Sequence, residues 1–331
     1  MVNVHGAEKL IAFSLAALCN VLPGVVALPA VDLSNITPEK EFNAENEFKA
    51  ALPAETARDT LFAPSLLREG DPGLWTSFME TEETGVINAL QWNPHWKTSS
   101  LVGDKVTQDL TSFLTEYSVD FANMIEYTDR GASTVMGVAP DLGKYAMIDS
   151  RRGGQDVCSL DKTTLLYDST RWTPTGEAGM GCTENNNNRP YIAQTFTSIS
   201  SSERIAVVGA HWPHFSVAEE MKNAIDALGC TGCKVVFMAD TNLPQSYAMS
   251  KISENMGLGT VGEDAQGSDE NFKSCCSDDG YMYNYDRIIT NFGSKGETFY
   301  PLGNAGVSSM PGYVTDATWE FHLPVAFKIT L

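Results

Sequence analysis

Short apolar runs that each stop at a residue able to bind a cation or move a proton constrain this chain more than any other feature. The run at 86–92 leads to Asn93, that at 121–125 to Glu126, and that at 204–210 to His211. The run at 234–238 leads to Asp240 and Asn242, Asp286 opens one at 286–290, and His322 precedes an alternating Val325, Phe327, Ile329 and Leu331. Runs of this length and composition read as strands, several of them of the buried type. In layered α/β folds the sheet holds several loops rigidly toward one point, so polar residues at strand ends assemble into sites.

Further strands are expected at 163–167 and 191–196, the latter forming a hairpin with 204–210 across a Ser-rich turn. Val106, Leu110, Phe113 and Leu114 recur at helical spacing. A second helix is expected over 216–228. There Ser216 and Glu219 suit a capping box, Val217, Met221, Ala224, Ile225 and Leu228 form an apolar stripe, and Gly229 can end it. No internal repeat is present.

The first 84 residues read differently. Lys9 precedes an apolar run at 10–18, a second run follows at 25–28, and Ala27 and Ala30 offer cleavage points, so residues 1–30 read as a secretory signal peptide. Asn20, Pro23 and Gly24 interrupt the run short of the ~20 apolar residues a spanning helix needs, which argues against stable membrane insertion. Residues 31–84, rich in Glu, Ala and Pro, read as an N-terminal extension or pro-region. The folded domain is expected over 85–331.

Seven cysteines are present, one of them, Cys19, in the leader. The remaining six favour disulfides in an exported chain, with pairing left open. Cys230-Thr231-Gly232-Cys233 either closes on itself or holds metal, and no second pair or nearby histidine completes a zinc site. The net charge of −20 opposes non-specific attraction to nucleic acid or anionic membrane. It leaves room for a phosphate ester, because a bound cation and a local basic patch invert the field at one site.

Each polar residue also has an ordinary structural role open to it. Asn93 before Pro94 suits a turn, Asp240-Thr241-Asn242 an Asx-turn, and Asp286-Arg287 a surface ion pair. The ordered set is more specific. INALQWNPHW, DFANMIE, RPYIAQTF, VVGAHWPH, KVVFMADTNLP, YDRIIT and EFHLPVAFKI resemble, in order, the motifs of the DNase I-like endonuclease/exonuclease/phosphatase superfamily.

That resemblance implies an α/β fold, a four-layer sandwich of two packed mixed β-sheets flanked by helices. It implies that Glu126, helped by Asn93, holds Mg²⁺ or Mn²⁺, with a structural Ca²⁺ also compatible. Asp240 would orient the attacking water, and Asn242 would donate to the phosphoryl oxygens. His211 and His322 would transfer protons, and Asp286 would orient His322. Asp161 is the candidate carboxylate behind His211, while Arg189, Tyr285 and Arg130 are candidate substrate contacts.

The chain departs from the family pattern at one important place. Phe321, preceded by Glu320, stands where the family has an Asp before the last His. Glu320 is then the candidate replacement ligand. Ala239 and Thr241 are milder departures, and no Cys directly follows Asn242.

Three functions are in play. The first is a secreted DNase I-like endonuclease hydrolysing DNA phosphodiesters. The second is a sphingomyelinase-like or inositol-phosphate phosphodiesterase, with a phospholipid headgroup the less favoured partner. The third is a binding protein that kept the fold without turnover. Oligomeric state is not readable from the sequence.

Overall fold

The structure, a computed structural model, describes residues 85–127, 143–152, 155–158, 162–183, 189–230, 232–244, 246–258, 266–268, 273–276, 282–293, 295–299 and 321–330. The leader, the extension at 31–84, Arg130, Asp161 and Glu320 lie outside these residues.

Strands β1 (Val86–Trp92), β2 (Phe121–Ile125), β3 (Tyr145–Asp149), β6 (Thr163–Asp168), β13 (Lys295–Phe299) and β14 (Val325–Thr330) form one sheet, ordered β13-β14-β1-β2-β6-β3. Strands β7 (Trp172–Cys182), β8 (Pro190–Ser198), β9 (Arg204–His211), β10 (Lys234–Asp240), β11 (Gln266–Gly267) and β12 (Asp286–Thr290) form the other, ordered β11-β12-β10-β9-β8-β7. Both sheets are mixed. β1 runs parallel to β2 and β9 parallel to β10, while β1–β14, β8–β9 and β10–β12 are antiparallel. A small ribbon pairs β4 (Arg151–Arg152) with β5 (Gln155–Asp156).

The period-two rule explains the layering. In β9, Ile205 and Val207 face the core between the sheets, whereas Ala206, Val208 and Ala210 face the outer layer. Val236 and Met238 face inward in β10 and Val235, Phe237 and Ala239 outward; Ile288 and Ile289 divide the same way in β12. Strands covered on both faces have no reason to alternate apolar with polar, hence the continuous apolar runs.

Helix α1 (Trp96–Glu116), kinked at Val102, covers the first sheet with Val106, Leu110, Phe113 and Leu114. Helices α2 (Ala218–Ala227) and α3 (Met249–Asn255) cover the second with Met221, Ile225, Met249 and Ile252. The result is a four-layer sandwich of two packed mixed sheets with helices outside. Among the described residues no helix is long and apolar enough to cross a membrane.

The capping box expected at the start of α2 does not form. The helix starts two residues later, with Val217 at the N-cap, and Ser216 Oγ accepts only a long bond from the Ala218 N–H at 3.4 Å. Glu219 and Glu220 in the first turn still complement the positive end of the helix dipole. Gly229, at φ 64°, ends the helix as expected.

Six cysteines pair as Cys158–Cys182, Cys230–Cys233 and Cys275–Cys276. Cys230 and Cys233 therefore close on each other and do not hold a metal in this structure. Arg287 is not at the surface. It is buried, and its guanidinium donates to the carbonyls of Asn284, Tyr247, Leu243 and Pro244, which fixes the loop after β10.

At the base of the sandwich, buried Asp120 accepts bonds from the Asn88 N–H at 2.8 Å and the Trp172 indole at 2.7 Å, and pairs with Arg171 at 2.8 Å. Burial pushes its carboxyl up to about 6, against the pull of Arg171.

One close approach between the sheets is only possible without a side chain. Asn123 in β2 stands against Gly209 in β9, where a Cβ would collide with the Asn123 amide. Gly209→Ala is expected to destabilise the protein by about 1–3 kcal/mol through overpacking, read as a lower urea midpoint. Gly103→Ala in α1 meets nothing within 4 Å and is the control. Equal midpoints for Gly209→Ala and wild type would show that Asn123 is not wedged there.

Candidate active site

The site is built at one end of the two sheets. Asn93 follows β1, Glu126 follows β2, His211 and Asp240 end β9 and β10, Asp286 begins the antiparallel β12, and His322 precedes β14. In-register pairing of Asp240 with both His211 and Asp286 sets three of these residues side by side.

The contacts run as a continuous set. His322 Nδ1 lies 2.8 Å from Asp286 Oδ2 and 3.6 Å from Asp240 Oδ2. Asn93 Nδ2 donates to Asp240 Oδ2 at 2.9 Å and to Glu126 Oε1 at 3.4 Å. His211 Nε2 lies 3.4 Å from Asp240 Oδ2, and its Nδ1 lies 3.7 Å from Glu126 Oε1. Arg189 Nη1 lies 3.0 Å from His211 Nδ1. A guanidinium only donates, so Nδ1 is the acceptor and the ring proton belongs on Nε2, facing Asp240.

Asn242 is tethered. Its backbone N–H donates to Asp240 Oδ1 at 3.0 Å and its side-chain amide to the Trp212 carbonyl at 2.9 Å. Tyr285 stacks on Tyr283 with ring centroids 4.9 Å apart, and its carbonyl accepts from the Thr241 N–H. Arg130, Asp161 and Glu320, outside the described residues, receive no position.

Backbone strain gathers here. Five described non-glycine residues have positive φ, and three of them are His95, Glu126 and Asn242. Such conformations persist where the surroundings over-determine them, and they cluster at functional sites.

Burial and charge separate the two central carboxylates. Burial pushes Asp240 up, but His322, His211, the Asn93 amide and Arg189 outweigh it and hold the group below its ordinary value. Asp286 is pushed up by burial and by the negative charge of Asp240, against the pull of His322. Burial alone would disfavour the His322 imidazolium; Asp286 and Asp240 overcome this and raise its pKa to about 9. Asp240 is thus the carboxylate held more firmly in its charged form, beside the Asp286–His322 pair.

Several participants carried no signal as single residues. Asn123 Nδ2 donates to Gln91 Oε1 at 2.7 Å, and Gln91 Nε2 donates to Asp286 Oδ1 at 3.1 Å, all buried. A polar residue inside each apolar run, Gln91 in VINALQW and Asn123 in FANMI, was the available clue. The Trp92 indole donates to the His322 carbonyl at 3.1 Å, and Cys276 Sγ lies 3.6 Å from His322 Nε2.

Phe321 takes no part in the polar set. It is buried in the main core, edge-on to Trp92 with centroids 6.3 Å apart. The position before His322 has become a packing position.

The donor set suits a divalent cation. Glu126 Oε1 and Asp240 Oδ2 are carboxylate oxygens of the kind hard cations take, bridged by the Asn93 Nδ2 amide, whose own Oδ1 accepts from the His95 N–H. Ligand atoms of Asp240, Asp286 and His322 also lie within 4.8 Å of one another. Cys275, Cys276 and His322 are equally close, but disulfide sulfurs are not the thiolates that bind metal.

No family model matches the chain, and no curated protein matches its sequence. Solved structures do. A humanized D. rerio TDP2 superposes with a TM-score of 0.52 at 13% identity, over 75% of this chain and 100% of that one. An endonuclease/exonuclease/phosphatase family protein from Bacteroides thetaiotaomicron gives 0.53 at 13% identity, over 74% and 94%. A mannosyl-6-phosphatase from the same organism gives 0.53 at 13%, over 74% and 100%. The fold is that of the DNase I-like endonuclease/exonuclease/phosphatase superfamily.

His322 offers a direct test of the electrostatics. In metal-free protein its ring should titrate near pH 9 by NMR. Asp286→Asn should bring it back toward the ordinary value of about 6.5. Because the folded value is raised, the stability this pair contributes is fully present below about pH 6.5 and lost as pH rises through about 9. An unchanged titration in Asp286→Asn would remove Asp286 as the cause.

Proposed function

We propose that this protein is a secreted, metal-dependent phosphodiesterase that hydrolyses DNA. The observation that carries the reading is the Asp286–His322 pair at 2.8 Å, set against Asp240 and joined through Asn93 to Glu126. Few structural needs call for four ionisable groups buried around one point, whereas phosphoryl hydrolysis needs them all.

Glu126, with Asp240 near, would hold a divalent cation, which when bound would supply Lewis-acid withdrawal of charge from phosphorus. Asp240, kept ionised, accepts a proton from the attacking water and orients it. The His322 imidazolium, fixed by Asp286, donates to the oxygens where charge builds, and the His211 Nε2–H donates beside it. Asn242, tethered to Asp240 through its backbone N–H and to the Trp212 carbonyl through its side-chain amide, is the further donor beside them. Arg189, bonded to His211, adds the positive charge that a chain of net charge −20 must provide locally to receive a phosphate.

The fold neighbours' names span both ester types: one D. rerio TDP2 structure contains a single-strand DNA product, and another neighbour is a mannosyl-6-phosphatase. Arg189 and the Tyr283–Tyr285 stack favour a nucleic-acid strand, which offers phosphates and base faces together.

A second reading has its own observation. Trp96, Phe215 and Met282 are 52%, 41% and 57% exposed, in segments that follow β1 and β9 and precede β12 at the site end of the sheets. Such a rim suits an amphiphilic substrate such as a phospholipid headgroup.

The test is nicking of supercoiled plasmid by the secreted protein with Mg²⁺ or Mn²⁺. His322→Ala should lower the rate by about 10²–10⁴-fold, Glu126→Gln should do likewise, and chelator should abolish cleavage. Cleavage of sphingomyelin without nicking would move the reading to phospholipid. Inactivity on both would leave a binding protein.

A further inference from the structure

We infer that His95 is a cation ligand in this site; the inference rests on the cation reading of Glu126. Beside that carboxylate, the turn after β1 folds back on itself. Asn93 Oδ1 accepts from the His95 N–H at 2.9 Å, and His95 takes φ 65° and ψ 139°, a conformation rare for any side chain but glycine. The Trp96 N–H at the start of α1 then donates to Glu126 Oε2 at 3.1 Å. This turn holds the His95 imidazole inward, 6% exposed, with Nε2 at 3.7 Å from Glu126 Oε2.

That distance is informative. It is too long for a hydrogen bond, yet two donors on one cation at about 2.1 Å each stand roughly 3.0–3.4 Å apart, for right-angle to tetrahedral placement. A small ring rotation brings Nε2 and Oε2 into that range. Glu126 then sits between two imidazoles, His95 on Oε2 and His211 on Oε1, each at 3.7 Å. His211 Nδ1 accepts from Arg189 and its Nε2 faces Asp240, so the ring that the turn after β1 holds on Glu126 is that of His95.

The chemical consequence is selectivity. Imidazole suits the later first-row ions best, and Mn²⁺, though it also takes oxygen ligands, stands above Mg²⁺ in tolerating one, since Mg²⁺ keeps to oxygen and its own waters. The site should therefore favour Mn²⁺ over Mg²⁺ through His95.

The experiment uses full-length, chelator-stripped protein and reads metal binding rather than turnover. In calorimetric titrations, His95→Ala should weaken Mn²⁺ binding about 10-fold or more while leaving Mg²⁺ within about twofold. Electron spin echo spectra of bound Mn²⁺ should show a ¹⁴N coupling that disappears in His95→Ala and His95→Gln but persists in His211→Ala and His322→Ala. An unchanged metal-free melting temperature for His95→Gln keeps a folding defect from passing as a ligand loss. Persistence of the ¹⁴N coupling in both His95 variants, or equal weakening of Mn²⁺ and Mg²⁺, overturns the assignment. Glu126→Gln separates the two levels of the argument. If it loses both metals while the His95 variants lose neither, the cation site stands and His95 is not in it. If wild type binds neither metal, or Glu126→Gln binds both as wild type does, the cation reading falls with the inference.

Discussion

The buried hydrogen-bond chain from Asn123 through Gln91 to Asp286 and His322 is the constraint on which the site depends. It starts in the first sheet, crosses the space between the sheets, and ends on the imidazole at the head of β14. An unpaired amide donor in that space costs about 1–3 kcal/mol, so the bonds that the Asn123 and Gln91 amides donate offset a real burial cost. The chain therefore ties catalytic geometry to sheet packing: a shift of one sheet against the other would strand Gln91. Gly209 belongs to the same device, because its missing side chain makes the space that Asn123 occupies.

Much of this was legible in the sequence because buried strands and their ends are local signals. β1, β2 and β12 fall at their expected bounds, and β6, β8, β9 and β10 differ by one to three residues at their ends. Strand ends carry the site residues, so Asn93, Glu126, His211, Asp240, Asp286 and His322 were visible as a set. What stayed hidden has physical reasons. β7 runs through Pro174, Gly176, Gly179 and Gly181, and most of its side chains are exposed or half-buried, so it lacks a strand's apolar pattern. The capping box at Ser216 looked complete, but the helix began two residues later. Gln91 and Asn123 look like flaws in apolar runs until the opposite sheet is in place. His95 gains meaning only from the turn that carries it back to Glu126.

Phe321 shows how a local rule and a global one compete. Beside His322 a carboxylate would serve the cation, yet the same position points into the core beside Trp92, whose indole already holds the His322 carbonyl. A buried aromatic there adds apolar burial and packs Trp92, itself in contact with Phe113 of α1 at 5.4 Å. The gain is stability of the segment that presents His322, and on the proposed cation reading the loss would be one hard oxygen. These effects act on different properties, so the substitution need not abolish hydrolysis. It should change which ion serves best, and a site short of an oxygen and rich in nearby imidazole is biased toward the softer divalent ions.

The same reasoning limits what the overall charge decides. A net charge of −20 repels a polyanion at long range, but screening reduces that field beyond about 8–10 Å at physiological salt. Inside that distance a phosphate ester would, on the proposed reading, meet Arg189, the His322 imidazolium and a cation among buried groups, where each charge counts for more. The global charge therefore acts mainly on how quickly a polyanion arrives, and the local set acts on whether its phosphate is held and hydrolysed. If the substrate is DNA, as proposed, such a protein would gain little from non-specific sliding and would depend on the cation to neutralise the scissile phosphate. Cleavage should then be unusually sensitive to the identity of the divalent ion, which returns the argument to the residues around Glu126.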